Sequence, residues 1–292
     1  MKRFIKYPSI EQFRIIIKNV RHSAQYAGYN EETQSPIFDY SLEFPKIKVI
    51  GTEKIHGTNA SVCYSNPDGF WVQKRTSICT PESDNAGCAF VAMQNEDAWK
   101  DIIFSLAEEH NIDLDKNIIS VFYEWCGGNI QKNSAVSNLD KMAIIFRHFK
   151  VSPIEPDETY SEWKETSVNG HWIDCPEARI WNISNFPTYE FEIDFSNPEK
   201  SQNNLIKTVE EVIEPSSPVG KTFGQESNIG EGLVCSFIYK DSLNMFKVKG
   251  DAHANNVGLR GLDVDRITQG KILRFLKENN SKTFSFSFST IP

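Results

Sequence analysis

The chain has no apolar stretch long enough to span a membrane, no CxxC pair, no internal repeat and no excess of positive charge. Each absence excludes something. Without about 17–25 consecutive apolar residues, no transmembrane helix is expected. The opening MKRFIKYPSIEQF is basic but lacks a continuous apolar core and a small-residue cleavage site, so it does not read as a secretory signal. Six cysteines (Cys63, Cys79, Cys88, Cys126, Cys175, Cys235) are scattered, which favours reduced thiols in a cytoplasmic compartment over a disulfide frame or a zinc site. A net charge of −8 argues against coating nucleic acid by bulk electrostatics, so any such contact needs a local basic patch.

What is present suffices for a large core: 292 residues, 39% of them hydrophobic. Ser9 precedes IEQFRIIIKNV, whose apolar spacing (Ile10, Phe13, Ile16, Ile17, Val20) predicts an amphipathic helix, with Ser9 and Gln12 at capping-box spacing. Residues 47–50, 60–64 and 70–74 read as strands, the last two joined by an Asn66-Pro67-Asp68-Gly69 turn. DAWKDIIFSLAEEH places Trp99, Ile102, Ile103 and Leu106 on one helical face, and 118–125 and 142–149 read as apolar strands. Residues 152–200 show weak periodicity and read as an irregular, partly exposed insertion. NNLIKTVEEVIE predicts a helix burying Leu205, Val209 and Val212. Two strands, GLVCSFIY and NMFKVKG, a helix over TQGKILRFLKENN and an alternating tail complete the chain. The adjacent strand pairs point to an antiparallel α+β domain.

Chemistry concentrates in EKIHGTN, residues 53–59. Lys54 ends an apolar strand-like run and precedes Gly57-Thr58-Asn59, which read as a tight turn. A lysine so placed suits attack on phosphorus, with backbone N–H groups and small polar side chains offered to a phosphate. Downstream come Arg75 in VQKRTS, Glu124 in FYEWCGGNIQKN, Phe146 in AIIFRHF, Glu231 in NIGEGLV, and Lys247 and Lys249 in FKVKG, which share a strand face. Singly, each has an ordinary reading as turn, core or solvated strand face.

Together, in this order, they resemble the motif series of the bacteriophage RNA ligase 2 family of covalent nucleotidyltransferases. The resemblance runs from about residue 1 to 255. It implies an ATP-dependent RNA ligase. Lys54 attacks the α-phosphorus of ATP and expels pyrophosphate, AMP passes to an RNA 5′-phosphate, and a 3′-OH then displaces it. The implied nucleotide-binding set is Glu53, Lys54, Ile55, His56, Asn59, Arg75, Glu124, Phe146, Glu231, Lys247 and Lys249. Lys54, Lys247 and Lys249 are catalytic in it, Glu124 and Glu231 hold Mg²⁺ or Mn²⁺, and Phe146 stacks on adenine. Lys247, Lys249 and the metal would lower the Lys54 pKa by like-charge repulsion.

Two departures stand out. Arg147 follows Phe146 where the family commonly has Asp, making Phe149 the alternative aromatic if the strand is shifted. Cys235 and Ser236 stand where a basic residue is often found. The domain organisation expected is a nucleotidyltransferase domain over 1–265 and a short helix and tail over 266–292. Since 43 residues follow Lys249, neither an OB nor a typical helical second domain is expected there. The expectation is a monomer acting in RNA repair on nicked duplexes, with any missing RNA grip supplied by a partner. Competing readings are a catalytically dead nucleic-acid-binding derivative and a GTP-dependent capping-type enzyme.

Overall fold

In the computed structural model, which describes residues 2–132, 134–155, 160–225 and 229–249, two antiparallel-rich sheets carry the α+β fold. The elements run α1 (Phe13–Gln25), β1 (Tyr26–Asn30), β2 (Ser35–Phe38), β3 (Lys46–Glu53), β4 (Thr58–Ser65), β5 (Gly69–Lys74), β6 (Ser77–Cys79), α2 (Cys88–Gln94), α3 (Glu96–Glu109), β7 (Asn117–Cys126), β8 (Met142–Ile145) and β9 (His148–Pro153). They continue with β10 (Glu162–Glu165), β11 (Ser167–Val168), β12 (His171–Trp172), β13 (Ile180–Asn182), β14 (Thr188–Asp194), α4 (Pro198–Thr208), α5 (Pro218–Thr222), β15 (Gly232–Tyr239) and β16 (Ser242–Lys249).

The smaller sheet has the order β14-β3-β15-β16, all antiparallel. One of its faces packs Val49, Leu233, Cys235, Phe237, Phe246 and Val248 against Phe13, Ile16 and Val20 of α1 and Leu205 of α4. Period-2 alternation sends Thr52, Val234, Ser236, Met245, Lys247 and Lys249 to the opposite face. The larger sheet runs β10-β9-β7-β4-β5-β6. β8 pairs with the end of β7, and β13 joins β8 in parallel. Ala60, Val62, Val121, Tyr123, Ile145 and Phe149 face α2 and α3. Alternation turns Glu124, Ile144, Phe146 and His148 the other way, so the two sheets confront each other across a cleft.

Several expectations are revised. Helix α1 starts at Phe13, not Ile10, and Gln12 makes no side-chain cap; Glu11 bridges Phe246 and donates its N–H to Met245 O at 2.9 Å, which holds that stretch extended. The Gly-Thr-Asn segment is no tight turn: Thr58 and Asn59 open β4 and pair with Trp125 and Glu124. The predicted strand 142–149 breaks at Phe146-Arg147, where the Phe146 N–H bonds Phe122 O at 2.9 Å and β7 changes partner from β8 to β9. The stretch 152–200 expected to be irregular is, among its described residues, largely regular. It supplies β10 to β14, and TYEFEID in β14 forms a complete edge of the smaller sheet, with Glu190 3.0 Å from Lys48.

Finally, Val212 is exposed and Ile213 buried. Residues Val209–Ile213 form a π turn, Glu214 N–H bonding Val209 O at 2.8 Å, and the wider turn moves the inward position on by one residue. The predicted C-terminal helix and tail lie outside the described residues. No helix among the described residues is long and apolar enough to cross a membrane.

Candidate active site

Lys54 lies in the short connection 54–57 that carries the chain from the smaller sheet to the larger one. Its N–H bonds Gly232 O at 2.8 Å, extending the β3–β15 pairing by one residue. Gly57 must pass flat against β7, because a Cβ there would meet Trp125 O at 2.4 Å. The Gly57 N–H donates to Glu124 Oε1 at 2.9 Å. Gly232 has φ +146°, and a Cβ there would meet Val248 O at 2.1 Å. That glycine lets β15 start beside the end of β16 and places Glu231 at the cleft.

Glu231 is the electrostatic centre of the site. It is 8% exposed, with Oε2 2.5 Å from Lys54 Nζ and Oε1 2.6 Å from Lys249 Nζ. Burial alone would raise its pKa, but the Lys54 and Lys249 ammoniums outweigh that and bring it below the ordinary carboxylate value. The like-charge surroundings expected for Lys54 are therefore offset by an anion. Lys247 shares the face of Lys249; burial and the Lys249 and Lys54 ammoniums push it below the ordinary lysine value.

Glu124 lies on the opposite wall. Burial pushes its pKa up to about 7, against the opposing pull of Lys54 and of the Gly57 N–H. Asn59 is its cross-strand partner, and Arg75, exposed just past β5, acts on it through charge. The Glu53 carboxylate points elsewhere: Oε1 accepts from Ser217 Oγ at 2.5 Å and Oε2 from the Val219 N–H at 2.8 Å, bracing α5 from within the core. His56 lines a smaller recess with Ser134, Ile229 and Glu231 rather than the main cleft.

That cleft opens between the two sheets. Lys54, Ile55 and Glu124 stand among its walls, and Phe146, Ile144, Ile183, Val234 and Met245 make an apolar slot beside them. Phe146, not Phe149, faces it; Phe149 is fully buried in the α2/α3 core. Arg147 also reaches the wall, its guanidinium 2.7 Å from Glu165 and 4.3 Å from the Trp172 ring centroid.

Sequence reasoning missed Thr52 and Met245, which alternation along the strands would have found, and also Tyr7 and His148; Ser236, noted where a basic residue is often found, lines the cleft too. The Tyr7 ring packs 5.2 Å from Phe146 and its hydroxyl reaches Met245 Sδ at 3.0 Å. Only a folded chain brings residue 7 there. His148 is kept neutral: burial first, then the Arg147 charge, lowers its pKa to about 3.

A lysine amine beside a carboxylate and two further lysines, at the mouth of an apolar slot with an aromatic wall, can hold a nucleotide and present a nucleophile to its phosphates. The RNA ligase family pattern matches residues 47–249, more than two-thirds of the chain. The chain belongs to the RNA ligase family. Within that family it is structurally similar to a Naegleria gruberi RNA ligase solved with pyrophosphate, at 12% identity and TM-score 0.47, over 89% of this chain and 60% of that one. A mutant of that ligase with AMP and Mn matches at 12% identity and TM-score 0.46, and one with ATP and Mn at 13% and 0.47, each over 88% of this chain and 59% of the other. This family member thus spans about 60% of the length of the solved chains it matches. No curated protein sequence matches it significantly.

Proposed function

We propose that the chain is an ATP-dependent RNA ligase of the bacteriophage RNA ligase 2 type, joining 3′-OH and 5′-phosphate ends of RNA at nicks. The observation that carries this is the position of the Lys54 amine, at the crossing between two sheets, facing the cleft and held by Glu231 between Lys54 and Lys249. In this reading Phe146 and Tyr7 form the apolar wall for adenine. Release of the Lys54–Glu231 contact lets the Lys54 ammonium give up a proton to solvent, and the neutral amine attacks the α-phosphorus of ATP, forming the N–P bond as the bond to pyrophosphate breaks. Lys247 and Lys249 offset negative charge that develops on the phosphoryl oxygens. The AMP on Lys54 then passes to an RNA 5′-phosphate, and the 3′-OH displaces it.

A divalent cation fits one side of this arrangement. Glu124 lends only Oε1 to Gly57, so its carboxylate suits Mg²⁺ or Mn²⁺, directly or through water. Both Glu231 oxygens are engaged by ammoniums, so Glu231 would join only after one lysine lets go. When bound, the ion would neutralise phosphate charge.

Incubation with α-labelled ATP and Mg²⁺ should put one AMP on the protein. Lys54→Ala and Lys54→Arg should both abolish the label, since a guanidinium stays protonated. Wild-type labelling of either variant would move the nucleophile elsewhere. Nicked duplex should be sealed faster than free single strands, because the duplex aligns the ends in advance; equal rates would refute the nick assignment.

A further inference from the structure

Away from the cleft, beneath α2, three metal-ligating side chains converge. Cys79 ends β6, Cys88 opens α2, and Asp84 lies in the loop between them. Their Sγ, Sγ and carboxylate oxygen all lie within 4.8 Å of one another. Both thiols are 1% exposed, and neither is in a disulfide. The Cys88 thiol donates to Asp84 Oδ1 at 3.4 Å. Backbone N–H groups fix the carboxylate: Asn85 at 2.6 Å and Ala89 at 2.8 Å on Oδ1, Phe90 at 3.0 Å on Oδ2. A buried thiol alone is ordinary packing. Two thiols and an oriented carboxylate within 4.8 Å of one another make a ligand set.

We propose that Cys79, Asp84 and Cys88 form a structural site for a thiophilic divalent cation, with zinc the ion that suits it. Two thiolates and one carboxylate match the borderline-soft, tetrahedral preference of zinc, with a water in the fourth position. Two sulfurs at about 2.3 Å from a tetrahedral ion stand roughly 3.8 Å apart, inside the observed spread. Binding exchanges two thiol protons for the ion and releases them to solvent, with no redox change. Cys88 also lines a recess beside α2. The spacing Cys-x4-Asp-x3-Cys hides the site from a search for paired cysteines, because an aspartate separates the two thiols.

The ion would close the 80–87 loop, which is tied to the active site. Asn85 Nδ2 donates to Thr58 Oγ1 at 2.9 Å, at the start of β4 just past the Lys54 connection, and Ala86 O accepts from Trp125 Nε1 at 3.0 Å.

The test is titration of the reduced, chelator-stripped full chain with Co²⁺ as probe. One thiolate-to-cobalt charge-transfer band per chain is expected, lost when Zn²⁺ is added. Cys79→Ser and Cys88→Ser should each weaken Co²⁺ binding by at least about 10–100-fold, the range already seen when only a supporting residue is lost. Cys175→Ser should change nothing. Absence of the band in the wild type, or its full retention in either variant, overturns the proposal. Should the variants misfold, Zn²⁺ protection of Cys79 and Cys88 against alkylation in the wild type, read by mass spectrometry, decides the matter: slowed labelling supports the site, and unchanged labelling refutes it.

Discussion

Glu231→Ala removes the one carboxylate that holds two lysines together, and the geometry sets the size of the effect. With Nζ–Oε separations of 2.5 and 2.6 Å, each attraction is about 6–7 kcal/mol at an effective dielectric of about 20. Desolvation of the three ions offsets much of that, at several kcal/mol each. The intact cluster therefore contributes little net stability, whereas one-sided removal leaves two partly buried ammoniums facing a third on Lys247. The expected loss is about 3–5 kcal/mol. It should fall towards the lower end, because Lys54 and Lys249 remain 20% and 19% exposed and can turn to water. At about 2–4 °C per kcal/mol for chains of this order of size, the melting temperature should drop by about 6–20 °C.

Urea unfolding at pH 7 and low salt measures this directly, and a control separates electrostatics from packing. A Lys54→Met, Glu231→Leu, Lys249→Met triple variant carries none of the three charges and should be close to wild type in stability, although inactive. If Glu231→Ala unfolds within about 1 kcal/mol of wild type, the cluster behaves as a wet surface bridge and the reasoning fails. A triple variant as unstable as the single one would shift the explanation to lost packing.

Phe146→Ala should raise the KM for ATP about 5- to 150-fold, from roughly 1–3 kcal/mol of lost base stacking, while Phe149→Ala should cost about 3–5 kcal/mol of stability and leave the nucleotide affinity of the folded fraction alone. The reverse pattern, read by adenylylation kinetics and urea unfolding, would place the base platform at Phe149. Glu124, with its pKa pushed up to about 7 mainly by burial, holds its proton in the free protein below that pH and is a carboxylate above it. Proton and cation compete for it, so the Mg²⁺ needed for half-maximal Lys54 labelling should fall about tenfold per pH unit from 5.5 to 6.5 and level off above about 7.5. Glu124→Gln should flatten that profile, and an unchanged profile would remove Glu124 from the metal. The same raised pKa makes this group's contribution to folding full below about pH 4.5 and lost as pH rises through about 7.

What the sequence made legible follows from period-2 geometry. Lys247 and Lys249 do share a face, and Phe146 and Phe149 differ in parity, so one alone could reach the cleft while the other entered the core. Helix α3 is equally plain, because Trp99, Ile102, Ile103 and Leu106 repeat at helical spacing and are all buried. Parity survives even the break at Phe146-Arg147, with Ile144, Phe146 and His148 all lining the cleft. Misread features depend on distant partners. Glu11 stays extended because β16 is beside it, and Val212 turns outward because a π turn, invisible to a 3.6-residue template, intervenes. The strand β14 is hidden among polar and proline-rich neighbours, although its own seven residues alternate and pair with residues 46–52 of β3.

Alternation also couples the site to the fold. The larger sheet contributes the carboxylate and the aromatic wall, the smaller one contributes the cationic wall, and Lys54 sits on the covalent link between them. Sliding β16 by one residue against β15 would send Lys247 and Lys249 into the α1/α4 core and bring Phe246 and Val248 to the cleft. Burying two charges there is costly enough to forbid the slip. The two-residue Lys240-Asp241 turn, with φ of +46° and +61°, fixes the register from the other end of the hairpin. The lysines that would act on phosphate are thus held in place by the apolar residues between them: Phe246 and Val248, by entering the core, turn Lys247 and Lys249 to the opposite face of the sheet, where Lys249 meets Glu231 and, through it, Lys54.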